Sequence, residues 1–102
     1  MWLLIDDMRE GFGCEVIARN SKSAYALLEN IQWEGVIFDN DLGPGSDEGH
    51  VILDKYLDGL SVYEVAKDIQ IVTSNTPALR KMQQALENNG YSSLDGRRFS
   101  KR

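Results

Sequence analysis

At 102 residues the chain is a single domain, 1–102, long enough to bury roughly two-thirds of its unfolded surface in one core. Its 42% hydrophobic and 26% charged residues are those of an ordinary globular protein, and a net charge of −5 excludes general, charge-driven binding to duplex DNA. There is no apolar run for a membrane helix and no signal-peptide pattern, and the lone Cys14 has no internal disulfide partner, so the cytoplasm is the expected compartment.

Trp2-Leu3-Leu4-Ile5 is a short apolar run that reads as a buried strand and stops at two carboxylates, Asp6 and Asp7. Met8 to Gly13 is too short and too glycine-rich for a helix. Cys14 to Ala18 fits an edge strand, with Cys14 as a small buried hydrophobe at its start. Asn20 or Ser21 can cap a helix that runs to about Gln32, with Ala24, Leu27, Leu28 and Ile31 at helical spacing.

Gly35-Val36-Ile37-Phe38 reads as a strand buried on both faces, and it ends in Asp39-Asn40-Asp41. Asn40 to Gly49 is crowded with Gly, Pro, Ser and Asp, and is expected to be mobile. A helix beginning at Glu48 or Gly49 carries Ile52, Tyr56 and Leu57 inward and closes at Asp58-Gly59. Ser61-Val62-Tyr63-Glu64 fits a capping box, which predicts a short helical turn before Lys67.

Ile69 to Val72 is the fourth strand candidate, running into Thr73-Ser74-Asn75. Thr76-Pro77 reads as an N-cap followed by proline in the first turn, and Leu79, Met82, Ala85 and Leu86 form the inner stripe of a helix that Asn89-Gly90 stops. A short strand around Arg98-Phe99 is a further candidate. Arg97, Arg98, Lys101 and Arg102 make residues 93–102 a basic segment, expected as a solvated, flexible tail, with a lesser reading in which Arg97 or Arg98 folds over an anionic ligand.

Strands alternating with helices from residue 14 onward imply a mostly parallel α/β sheet of four to five strands flanked by helices, with only the first connection lacking a helix. In such a sheet all parallel strands end at one edge, where ligands bind. Asp6 and Asp7, Asp39 and Asp41, and Thr73, Ser74 and Asn75 would therefore meet there. Several acids close together repel one another unless a cation intervenes, and an oxygen-only donor set suits Mg²⁺, while the absence of a Cys/His cluster argues against zinc. The hydroxyls of Thr73 and Ser74, beside a helix start, suggest an anion site. Arg9 lies within reach of the same edge, and His50, the sole histidine, lies just past the loop.

These residues resemble the receiver domain of two-component response regulators over residues 2 to about 90. Asp6 and Asp7 match that family's metal-binding pair, Asp39 its phosphoacceptor and Thr73 its hydroxyl position, whereas the first helix and a Lys-Pro after a fifth strand are missing. The chain is more similar still to the compact, flavodoxin-like receiver variant that processes cyclic phosphates and is associated with RNA repair and phage–host conflict. Ile5-Asp6-Asp7-Met8-Arg9, Ala18-Arg19-Asn20, Phe38-Asp39-Asn40-Asp41-Leu42-Gly43 and Thr73-Ser74-Asn75-Thr76-Pro77 match its motifs in order, and Gly49-His50-Val51 matches loosely. Thr73 stands where that variant has histidine and Thr76 where it has asparagine.

The resemblance implies Asp6, Asp7 and Asp39 as ligands of Mg²⁺, Arg9 and Arg19 as phosphate ligands, and Asp39, Asp41 and Arg9 as the catalytic set. Thr73, Ser74, Asn75 and His50 complete the expected ligand-binding residues. The expected partner is a phosphate-containing small molecule or a nucleic-acid end, processed as a phosphoester or cyclic phosphodiester. The alternatives are a non-enzymatic module that docks on a partner protein and a phosphoaccepting signalling receiver.

Overall fold

Short runs of apolar residues, too brief for helices and bounded by Asp, Gly or Ser, form the strands. The longer segments with apolar residues three and four apart form the helices. The computed structural model of the chain describes residues 1–101, with Arg102 lying outside the described residues. In order the elements are β1 (Trp2–Ile5), β2 (Val16–Ala18), α1 (Ser21–Asn30), β3 (Gly35–Phe38), α2 (Gly49–Leu57), β4 (Asp68–Ile71), α3 (Thr76–Asn88) and β5 (Arg98–Ser100). No helix among the described residues is long and apolar enough to cross a membrane.

The five strands form one sheet in the order β2-β1-β3-β4-β5. The first four run parallel and β5 is antiparallel to β4. This is the expected α/β, receiver-like architecture, with its first connection free of helix.

Right-handed crossovers explain the layering. The chain moves from β2 to β3 to β4 in one direction across the sheet, so α1 and α2 cover one face, whereas β1 to β2 moves the other way and crosses the opposite face. The core follows suit. Leu3, Ile5, Val36, Phe38, Ile69 and Ile71 pack with Ala24 and Leu28 of α1, Ile52, Leu53 and Tyr56 of α2, and Met82 and Leu86 of α3. Leu4 and Ile37, one residue out of phase, are buried toward the other face. There Trp2 lies across Gly35, where an added Cβ would stand 2.4 Å from the indole.

Helix faces differ slightly from the expected stripes. Leu53 is buried in α2 while Leu57 is half-buried, and Ala78 is buried in α3 while Leu79 and Ala85 are half-buried. Cys14 and Glu15 precede β2 rather than belong to it, and α1 ends at Asn30, short of Gln32.

Four expectations are corrected. Asn75, not Thr76, caps α3: its side chain accepts from the Ala78 N–H at 3.1 Å, and its own N–H donates to the Thr73 hydroxyl, which draws Thr76 into the first turn. The Ser61 capping box forms no helical turn. Its hydroxyl donates to the Glu29 carbonyl of α1 and accepts from the Tyr63 N–H, so a tertiary contact captures the group that would have started a helix. The basic end is not a loose tail through residues 98–100. It is β5, with Phe99 buried and Ile69 paired with Phe99. The Asn40–Glu48 loop, expected to be mobile, is tied to α1: Asp47 N–H donates to the Ser21 hydroxyl, Ser21 N–H to Ser46, and the Tyr25 hydroxyl to Asp47.

Residues 65–67 lead into β4 and are held by buried tyrosines. The Tyr56 hydroxyl accepts from the Ala66 N–H and the Tyr91 hydroxyl donates to the Ala66 carbonyl at 2.6 Å. Burial, with Tyr56 and Asp68 nearby, pushes the Tyr91 phenol up to about 12. Folding thus favours its protonated form. That stabilisation is complete below the unfolded phenol's value of about 10 and is lost as pH rises through the folded value. Tyr91→Phe is expected to cost roughly 1–3 kcal/mol at neutral pH and to flatten the alkaline fall in stability, as read by urea unfolding between about pH 8 and about pH 11.

Candidate metal and phosphate site

The site follows from register. Ile5 pairs with Phe38 and Phe38 with Ile71, and the ladder continues past the strand ends. Asp6 N–H donates to Ala18 O at 3.0 Å, Asp39 N–H to Ile5 O at 2.9 Å, and Val72 N–H to Phe38 O at 3.0 Å. Residues just beyond β1 and β3 are therefore neighbours, and one carboxylate oxygen from each of Asp6, Asp7 and Asp39 falls within 4.8 Å of the others. Asp6 is fully buried and Asp39 nearly so, while Asp7 is half-buried.

Such a cluster persists because its charges are answered locally. Asp6 Oδ1 accepts from the N–H groups of Met8 and Arg9 at 2.9 and 2.8 Å. The Arg9 guanidinium lies 3.4 Å from Asp6 Oδ2 and 3.7 Å from Asp39 Oδ1, and donates to the Val72 carbonyl at 2.8 Å. Arg9 thus clips together the ends of β1, β3 and β4. Burial raises the Asp39 carboxyl above the usual range. The neighbouring charges of Asp6 and Asp41 add to that, while the Asn40 N–H and Arg9 oppose it.

Arg19 reaches the same region in a different capacity. Its guanidinium donates to the carbonyls of Asp6 at 3.3 Å and Arg9 at 2.6 Å, and pairs with Glu10 at 3.6 Å. It braces the loop that presents Arg9.

Thr73 is buried, with its hydroxyl accepting from Asn75 N–H, and Ser74 is exposed beside it. The helix start offers less to an anion than the sequence suggests. The Asn75 and Ala78 N–H groups are bonded within the turn, Leu79 N–H donates to Asn75 O, and Pro77 has none. His50 and Asp41 stand outside the three-carboxylate cluster. Asn40 holds His50, its Oδ1 lying 3.1 Å from His50 N and 3.0 Å from Nδ1, while Glu48 flanks the ring at 3.1 Å. Asp41 is exposed, 3.4 Å from the Asn40 amide.

Two residues escape a reading from the sequence. Asn40 is fully buried, accepts from the Gly49 N–H and fixes the seat of α2. Phe12 has φ 55, between Gly11 at φ 95 and Gly13 at φ 70, and is 50% exposed at the rim of the site. The only signal in the sequence is an aromatic between two glycines. Arg97, a lesser candidate from the sequence, donates to the Thr73 carbonyl. An antiparallel β5 delivers to this edge the residue that precedes it, where a parallel strand would deliver the one that follows.

The donor set fits a hard divalent cation. All three ligands are carboxylate oxygens, the hard donors that Mg²⁺ takes, and they lie within 4.8 Å of one another. A doubly wound sheet in the order β2-β1-β3-β4-β5, with acids at the carboxyl ends of β1 and β3, defines a receiver-class domain. The chain belongs to the cyclic-phosphate processing receiver domain family, whose model matches residues 1–88. No curated protein and no solved structure matches it. The family match ends with the last residue of α3, so β5 and Arg97 lie beyond it.

Proposed function

We propose that the protein binds Mg²⁺ at Asp6, Asp7 and Asp39 and processes a cyclic phosphate or a phosphorylated nucleotide end beside it. The observation that carries this reading is the meeting of three carboxylates within 4.8 Å, two of them nearly or fully buried, with one arginine touching two of them. The ion would supply charge neutralisation and polarisation of a phosphoryl oxygen. Arg9 holds the phosphate's remaining charge and is itself aligned by Val72 and, through its backbone, by Arg19. Ser74 offers an exposed hydroxyl and Arg97 a cation on the far side of Thr73. Asp41, exposed at the exit of β3, orients water.

Hydrolysis of a cyclic phosphodiester forms one P–O bond from water and breaks one in the ring, the water's proton passing to the departing oxygen. Thr73, in place of the histidine of the family pattern, leaves no imidazole for that proton, so turnover is the decisive measurement. The test is calorimetric titration with Mg²⁺, followed by incubation with nucleoside 2′,3′-cyclic phosphates and product analysis. Mg²⁺-dependent formation of a monoester, lost in an Asp6→Asn/Asp39→Asn double variant, is the expected result. Mg²⁺ and ligand binding without turnover would make the protein a binding module, and failure to bind either would overturn the assignment.

A further inference from the structure

Beside the carboxylate cluster, on its β4–β5 side, lies an open cavity of about 540 Å³ lined by Arg9, Phe12, Gln70, Thr73, Arg97 and Arg98. That is within the range of about 300–1,000 Å³ of sites for whole organic ligands, and far more room than a lone phosphate needs. Its walls gather three arginines in a chain whose net charge is −5. Asp95 also lines the cavity, and the backbone N–H groups of Arg97 and Arg98 donate to its Oδ1, which holds that carboxyl below its usual range and keeps it ionised, one negative charge against the three guanidinium groups. Neither the Arg97 nor the Arg98 guanidinium takes part in an ion pair among the described residues.

Phe12 points independently to a ligand. A phenylalanine in the left-handed region is strained, and 50% exposure means that burial does little to offset the strain. For the fold alone, glycine or asparagine would serve better at this position. The aromatic ring instead lines an arginine-walled cavity that shares Arg9 with the carboxylate cluster. Stacking faces joined to cationic walls are the chemistry that holds nucleotides.

We propose that the cavity is a nucleotide subsite: the base stacks on Phe12, a 5′-phosphate meets Arg97 and Arg98, and the cyclic phosphate lies at Arg9 and the carboxylates. This rests on the reading of the cluster as a cation and phosphate site. Gln70, which also lines the cavity, supplies an amide for the edge of the base.

The test compares, by calorimetry in Mg²⁺, adenosine 2′,3′-cyclic phosphate with and without a 5′-phosphate, and the cyclic phosphate of ethylene glycol, which lacks both sugar and base. The nucleotide should bind at least about tenfold more tightly than the base-free ring. Phe12→Ala should weaken nucleotide binding by about five- to a hundredfold, the measured range for one stacked base, and leave the base-free ring and Mg²⁺ unaffected. Phe12→Trp should retain nucleotide affinity, and Arg98→Ala should erase only the gain from the 5′-phosphate. Equal wild-type affinity for nucleotide and base-free ring would overturn the subsite. So would a Phe12→Ala variant that weakens both ligands alike, or neither. Absence of Mg²⁺ and base-free phosphate binding in the wild type would overturn the reading of the cluster itself.

Discussion

Asp39→Asn is expected to abolish Mg²⁺ binding while leaving the ion-free protein at least as stable as the wild type. The two effects share one cause. Asp39 is 9% exposed, and its carboxyl is raised by burial and by the charges of Asp6 and Asp41, so the ionised form weighs against the folded state until a cation arrives. Asparagine removes that charge and keeps an oxygen to accept from the Asn40 N–H, which now bonds Asp39 Oδ1 at 2.8 Å. At a hundredfold excess over its dissociation constant, Mg²⁺ should stabilise the wild type by about 2.7 kcal/mol, a rise in Tm of roughly ten degrees or more. The variant should show no rise. Thermal melts with and without the ion, paired with calorimetry, check both halves. A variant whose Tm still climbs with Mg²⁺ would remove Asp39 from the ligand set.

Gly49→Ala is expected to be the most damaging single-atom change in the chain. Gly49 opens α2 and is buried against the backbone that leaves β3: an added Cβ would stand 1.8 Å from the Asp39 carbonyl oxygen and 2.9 Å from Asn40 Cα. Neither atom belongs to a side chain that can rotate away, so either the helix lifts or the Asp39 backbone moves. A loss of about 3 kcal/mol or more is expected, with weakened Mg²⁺ binding in whatever fraction stays folded. Gly59→Ala is the matched control. Gly59 has φ +99 but open space around it, so its cost is that of backbone conformation alone, about 1–2 kcal/mol. Equal Tm values for the two variants would show that the α2 contact is not rigid.

The acidic half of the site is legible in the sequence because it depends on local features that a parallel sheet converts into proximity. Apolar runs ending at Asp6 and Asp39 need only be adjacent and in register for their carboxylates to meet, and β1 and β3 are. Arg9 follows, three residues from Asp6 on a loop that the Asp6 carboxylate itself turns. What was not legible depends on distant partners. The Ser61 box is undone by the Glu29 carbonyl, 32 positions away in sequence. The α3 cap is the exception, a local matter: it shifts because Thr73, two residues away, accepts from the Asn75 N–H. Arg97 reaches the site only because one buried side chain, Phe99, commits the basic end to the sheet in the reverse direction. Arg19 carries the right charge but is oriented by two backbone carbonyls that no spacing rule reveals.

The reversal of β5 also decides where the polypeptide leaves the molecule. Ser100 is opposite Asp68, at the start of β4, and Lys101 N–H donates to Lys67 O, while the amino group of Met1 pairs with Glu34 just before β3. Both described ends therefore emerge at the pole away from Asp6 and Asp39. An affinity handle, a surface linkage or a neighbouring protein joined at either end would leave the carboxylate mouth facing open solution, so immobilised material should bind its ligand as well as free material does.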